Sequence, residues 1–253
     1  MSVLSVIVRP ADYVLLGADG VCTDPSTGAV VCYVEKIRVY PSLSCAIGVT
    51  GIGKIENIMD WFMPKSVHEF DHLVEFLPEL VWHAQDYMIK NELLSCDDIR
   101  SNVVAAGWSK RDQKFAAYRV VTYPKESLDV STGKTVTLEP WVAHAMTESG
   151  TWTSCAPEAN ALQICGLNEA HNEDDAAMMT RMICAGRQSS GKIAQDGMSS
   201  QFNAGRFVQL ALVKQSNCQT WIAHDWPEDV IDQPVDPARG SVLPPHLSLG
   251  HTE

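Results

Sequence analysis

Residues 2–19 read Ser2-Val-Leu-Ser-Val-Ile-Val-Arg9, Pro10-Ala-Asp12 and Tyr13-Val-Leu-Leu-Gly-Ala-Asp19. Apolar and β-branched residues fill 3–9 and 13–18, and a proline-led turn divides them. The chain therefore opens as two strands folded back on each other, with Asp19 closing the second. A polar, turn-rich stretch at 19–28 leads to two further predicted strands, 29–40 and 43–49, separated by Pro41-Ser42.

Helical signals come next. Ile55, Ile58, Met59 and Phe62 recur at helical spacing over 53–62, before Pro64 stops the run. Ser66-Val-His-Glu69 reads as a capping box that opens a helix. Phe70, Leu73, Leu77, Leu80, Val81, Ala84 and Met88 form its apolar stripe, and Pro78 is expected to kink or divide it. Strands are predicted at 101–108 and 114–121, joined as a hairpin, and another at 135–146. A helix capped by Asn172 is expected to run to about residue 185 and end at Gly186. Final strands are predicted at 206–213 and 219–223. Strands and helices that segregate without strict alternation indicate an α+β layered fold, not a doubly wound parallel sheet.

One domain over 1–224 is expected, followed by a Pro-rich tail or linker arm over 225–253 that carries Pro227, Pro234, Pro237, Pro244 and Pro245. Hydrophobic residues make up 45% of the 253 and charged residues 20%, the balance of a chain with a core. The formal net charge of −12, without any dense Lys/Arg run, disfavours nucleic acid as a partner. No apolar run approaches the ~20 residues that span a bilayer, and the start lacks a basic, cleavable leader, so no membrane partner is expected. The eight cysteines are scattered without a Cys-x-x-Cys pair, which points to a reduced, cytoplasmic protein.

Chemistry concentrates near the amino terminus. Serine at position 2 is small enough for the initiator Met1 to be removed. That would expose an α-amine of pKa about 7.7–8.0, able to take a proton from its own hydroxyl. Lys36, in Val34-Glu-Lys-Ile37, sits on an apolar strand and calls for a partner, because an unpaired buried ammonium is costly. Asp19 can be that partner, holding a positive charge beside Ser2. An edge-strand lysine guarding against aggregation is the plainer reading of Lys36 alone. Gly51, where strand turns to helix, offers a backbone N–H as an oxyanion donor. His68 and His72 stand four apart on an expected helix, but without a third ligand they read as a solvated face. Ser-Ser-Gly at 189–191 lacks the ending of a phosphate loop, so no cofactor is expected.

The runs at 2–8, 13–19, 35–37 and 48–53, with Asn102-Val-Val-Ala-Ala-Gly-Trp108 and Phe115-Ala-Ala-Tyr-Arg-Val-Val121, resemble a proteasome β-type subunit. That group includes HslV-like and Anbu-like bacterial relatives, all amino-terminal-nucleophile hydrolases. The resemblance implies a four-layer αββα sandwich of two mainly antiparallel sheets, assembly into homo-oligomeric rings, and hydrolysis of peptide or unfolded-protein substrates, with an ATPase partner possible. Position by position, Ser2 matches the nucleophile, Asp19 and Lys36 the charged pair, and Gly51 the oxyanion glycine. Val34 and Val49, two residues from Lys36 and Gly51, are candidate pocket residues. Serine stands where the family has threonine. The second-half Asp and Ser-Gly motif is split between Arg187-Gln-Ser-Ser190-Gly191 and Asp196-Gly-Met-Ser199, and is assigned to Asp196 and Ser199. An inactive ring or assembly subunit, and an amidase acting on a small molecule, are the alternatives.

Overall fold

The computed structural model describes residues 2–24, 27–51, 55–93, 100–129, 134–146, 150–154, 157, 159–167, 174–189 and 204–247. Its opening hairpin is the expected one. β1 (Leu4–Arg9) lies antiparallel to β2 (Tyr13–Asp19), with Leu4 opposite Ala18 and Arg9 opposite Tyr13. Side chains alternate along it: Leu4, Val6 and Val8 face one way, Ile7 the other, and all are buried. Both faces of the hairpin are therefore covered.

The stretch predicted as one strand over 29–40 is two strands in different sheets. β3 (Val21–Thr23) forms a small hairpin with β4 (Val30–Tyr33), while β5 (Ile37–Tyr40) pairs with β6 (Cys45–Thr50) in a larger sheet. Residues 34–36 make the crossing, so Lys36 sits at a break between sheets rather than in mid-strand. An apolar run long enough for one strand serves two here because each half is buried against a different neighbour.

Two helices follow. α1 (Ile55–Phe62) matches expectation, but α2 (Phe70–Lys90) does not use the predicted capping box. Its N-cap is Glu69, in extended conformation and without a side-chain cap bond. Ser66 instead lies in a turn closed by Val67 N–H on the Pro64 carbonyl at 3.0 Å. Glu69 meets Lys110 Nζ at 3.1 Å and His72 Nε2 at 3.5 Å rather than reaching back to Ser66. His68 lies outside the helix and is exposed, so its helical spacing with His72 is not realised. The helix continues through Pro78 as one element.

β7 (Asn102–Ser109) and β8 (Lys114–Val121) form the expected hairpin. The predicted strand at 135–146 is broken. Its first part, β10 (Lys134–Leu138), pairs with β9 (Lys125–Asp129), and β11 (His144–Ala145) pairs with β8. Trp141, at φ 61°, turns the chain between them. β12 (Gly150–Thr153) and α3 (Ala159–Ile164) precede α4 (Asp175–Gln188). Asp174 caps α4 by accepting from Ala177 N–H at 2.8 Å; the predicted cap, Asn172, lies outside the described residues. β13 (Phe207–Lys214) and β14 (Asn217–Asp225) complete the strands.

One five-stranded sheet has the order β12-β1-β2-β13-β14 and the other β11-β8-β7-β6-β5, all antiparallel. Leu4, Leu16, Ala46, Val104, Phe115 and Ala211 fill the space between the sheets. The outer face of the second sheet is covered by α1 and α2, and that of the first by α3 and α4. The result is a four-layer αββα sandwich. Arg9 and Tyr13, at the turn of the opening hairpin, both bond Asp175 at the start of α4, at 2.7 and 2.8 Å. Those bonds hold the Asp175 carboxyl below the usual range, with the Arg9 hydrogen bond as the main cause.

The Pro-rich segment expected as a tail or arm is packed against the body through residue 247. Trp226, Val235, Leu243 and Leu247 are buried, and Trp226, Leu243 and Leu247 join the α4-side core. Its anchor is Asp229, which pairs two-pronged with Arg187 of α4 at 2.7 and 2.9 Å, both side chains 1% exposed. Asp229 also accepts Arg206 N–H at 2.6 Å, and the Arg187 guanidinium lies 4.6 Å from the centre of the Trp226 ring. Removing one partner strands a buried charge, so Asp229→Ala is expected to lower unfolding free energy by about 3–5 kcal/mol in urea titration, with Arg187→Leu/Asp229→Leu losing less.

His224 faces the same segment, bonding the Ser241 carbonyl at 3.2 Å. Burial lowers its pKa below 6.5, so the unfolded chain takes up this proton at higher pH than the folded one. Stability from this group is present above about 6.5 and declines as pH falls below it. Between about pH 7.5 and 5.5, the urea midpoint of the wild type is expected to drop more than that of His224→Gln.

Candidate active site

Four segments that are far apart in sequence converge at the start of β1. Asp19 ends β2 fully buried, and Lys36, 6% exposed, reaches it from the crossing with Nζ 2.8 Å from Oδ1. The same ammonium donates to Ser2 Oγ at 2.7 Å. Ser2, Lys36 and Asp19 thus form a continuous hydroxyl–ammonium–carboxylate chain.

The carboxylate is held by more than the lysine. Val3 N–H donates to Oδ1 at 2.8 Å, while Val21 and Gly205 N–H donate to Oδ2 at 3.2 and 3.4 Å. Gly20 N–H meets the Gly205 carbonyl at 2.9 Å, which draws the turn before β13 over the site. Charge-assisted bonds of this kind fix a buried carboxylate more firmly than one ion pair does.

Gln209 and Ser154 were missed at the sequence level. Gln209, 1% exposed in the middle of β13, accepts Lys36 N–H and Ile37 N–H on Oε1 at 2.9 and 3.0 Å. Its Nε2 donates to the Ile37 carbonyl at 2.9 Å, so one amide satisfies the backbone where the chain leaves one sheet for the other. The signal was present, since Gln209 is a lone polar residue in Phe207-Val-Gln-Leu-Ala-Leu-Val213, as unusual there as Lys36 in its own run. Ser154, just after β12, donates to the Ser2 carbonyl at 3.2 Å and accepts Leu4 N–H at 2.9 Å, tethering residue 2. Nothing in its local sequence marks it.

Gly51 follows β6 at φ 98°, where a Cβ would stand 1.9 Å from the Arg100 carbonyl oxygen. Only glycine fits. Two residues earlier, Val49 N–H donates to the Lys36 carbonyl at 3.0 Å, tying β6 to the site. β1 lies directly over β6: a Cβ on Gly48 would meet Leu4 Cδ1 at 2.6 Å. Val49 packs into the core under α1 and α2, whereas Val34 is half-buried on the crossing with its N–H on the Gly20 carbonyl at 3.0 Å. Asp196 and Ser199 lie outside the described residues, as do Ser190 and Gly191. Arg187, from the other half of the split motif, is engaged with Asp229.

The two partners of the ion pair are unequal. Lys36→Met leaves Asp19 three backbone donors, whereas Asp19→Ala leaves a buried ammonium with the Ser2 hydroxyl. Asp19→Ala is expected to cost about 3–5 kcal/mol in thermal or urea unfolding, and Lys36→Met clearly less.

No family model matches the chain, and no curated protein matches it. Among solved structures it is similar to Anbu (ancestral beta-subunit) from Yersinia bercovieri, at 7% identity and a TM-score of 0.50, over 88% of this chain and 87% of that one. Anbu (Gly-1) mutant from Hyphomicrobium sp. strain MC1 matches at 8% identity and a TM-score of 0.49, over 88% of each chain. At 7% identity the likeness to the Yersinia bercovieri protein is one of fold alone: this chain's layered α+β sandwich is similar to that protein's.

Proposed function

We propose that this chain is an amino-terminal-nucleophile hydrolase that cleaves peptide bonds through Ser2 once Met1 is removed. The observation that carries the reading is the Lys36 ammonium, 2.7 Å from Ser2 Oγ and 2.8 Å from a buried carboxylate. A cation held there favours the ionised form of the hydroxyl as it attacks. The freed α-amine of Ser2 takes the hydroxyl proton, Oγ bonds the substrate carbonyl carbon, and the Gly51 N–H stabilises the oxyanion. The amine then returns the proton to the leaving nitrogen. Water attacks the resulting ester and regenerates Ser2. Asp196 and Ser199 complete the site in this reading, and the half-buried Val34 borders the substrate, whereas Val49, packed under α1 and α2, supports β6 from behind. The likeness to Anbu supports assembly into homo-oligomeric rings, with an ATPase partner as a further expectation.

A second reading, a ring subunit without activity, is favoured by serine in the place of threonine and by the split second-half motif. Serine lacks the methyl that restricts χ1, so its hydroxyl is less firmly aimed.

Intact mass and a covalent electrophile directed at amino-terminal hydroxyls separate the two. The working enzyme is expected to lack Met1 and to be labelled on Ser2, with labelling abolished in Ser2→Ala and slowed about 100-fold or more in Lys36→Met. Because the amine must be neutral to accept the proton, the labelling rate is expected to rise with pH and level off above about 8. Retention of Met1 together with absence of label would establish the inactive subunit instead.

A further inference from the structure

Cys22 and Cys32 face each other across the β3–β4 hairpin, in register, both half-exposed. The two thiols influence each other electrostatically, and Cys22 also lies within the field of Lys36 and Asp19. The two arms of this hairpin end on the site. One arm delivers the Val21 N–H to Asp19 Oδ2 at 3.2 Å, and the other continues through Val34, bonded to the Gly20 carbonyl at 3.0 Å, into Lys36. Among the described residues, the hydrogen bonds and ion pair of Ser2, Lys36 and Asp19 use neither thiol.

We propose that Cys22 and Cys32 are an oxidisable dithiol whose disulfide, formed by a peroxide, distorts the Asp19–Lys36 pair and shuts the site. The regulatory half of this inference rests on the hydrolase reading above; formation of the bond does not. Burial pushes the Cys22 thiol up to about 11, which suits it to the second, resolving step. The Cys32 sulfur attacks the peroxide O–O bond and becomes a sulfenic acid, with one water released. Cys22 then attacks that sulfur, forming the S–S bond and releasing a second water. Two thiols are oxidised and one peroxide is reduced. Directly opposed residues have Cβ atoms about 4.5–5.5 Å apart, whereas a disulfide needs about 3.5–4.5 Å. In this proposal closing the bond draws the two arms together, which pulls Val21 from Asp19 and leaves a bond that thiols reduce readily. Transient, regulatory disulfides of this kind are the sort found in reducing compartments.

The experiment uses reduced wild-type chain titrated with hydrogen peroxide, followed by peptide mapping, Ser2 labelling and amide exchange. A linked Cys22–Cys32 peptide is expected, with Ser2 labelling slowed about tenfold, faster exchange at the Val21 amide, and full recovery in dithiothreitol. Cys32→Ser is expected to label normally and to ignore peroxide. Absence of the linked peptide while other thiols are consumed would overturn the proposal, as would equal labelling of the oxidised and reduced forms. A reduced protein that never labels defeats the hydrolase reading instead. Val21 exchange then decides the dithiol: acceleration on oxidation sustains the coupling of hairpin to Asp19, and no change overturns it.

Discussion

Asp19 and Lys36 place a full charge pair between two β-sheets, where water cannot screen it. That burial is a constraint on everything nearby. Each ion alone would be strongly unfavourable, so the surroundings must supply donors in fixed positions. The donors to Asp19 come from Val3 beside β1, Val21 at the start of β3 and Gly205 before β13, while the Ser2 hydroxyl accepts from Lys36. The pair therefore gathers segments from both ends of the chain, and whatever chemistry Ser2 performs is set by that gathering.

The same logic explains the break at 34–36. A strand that ran straight from 29 to 40 would keep Lys36 in one sheet. By crossing between sheets the chain instead brings the ammonium to the edge of β1, and the crossing leaves backbone groups that need partners. Gln209 provides them with one side-chain amide from the opposite sheet. A buried glutamine in an apolar strand is costly unless each of its polar atoms is used, as it is here on the Lys36 and Ile37 backbone.

A second buried ion pair, Arg187–Asp229, does for the carboxyl-terminal segment what Asp19–Lys36 does for the site. Proline prevents that segment from forming ladders, so one salt bridge, a buried tryptophan and a few carbonyl bonds hold it. It reaches the β3–β4 hairpin as well, with Val30 N–H on the Gln233 carbonyl at 2.9 Å and Tyr33 Oη donating to the Asp229 carbonyl at 2.6 Å. The hairpin carrying Cys22 and Cys32 is thus fastened on one side to the site and on the other to this segment.

The amino-acid sequence by itself determined the layered α+β class, the opening hairpin, the hairpin at 102–121 and the pairing of Asp19 with Lys36. Those features are local or nearly so: period-2 alternation, a proline turn, and one charged residue out of place in an apolar run. Tertiary structure alone decided the break of the 29–40 run, the shift of the α2 start from Ser66 to Glu69, the roles of Ser154 and Gln209, and the docking of the Pro-rich segment. Each depends on a partner more than 35 residues away, the α2 start included, where Lys110, on the turn between β7 and β8, takes Glu69. Periodicity and capping rules report what a segment prefers next to itself; which buried polar group meets which is settled only when the sheets stack.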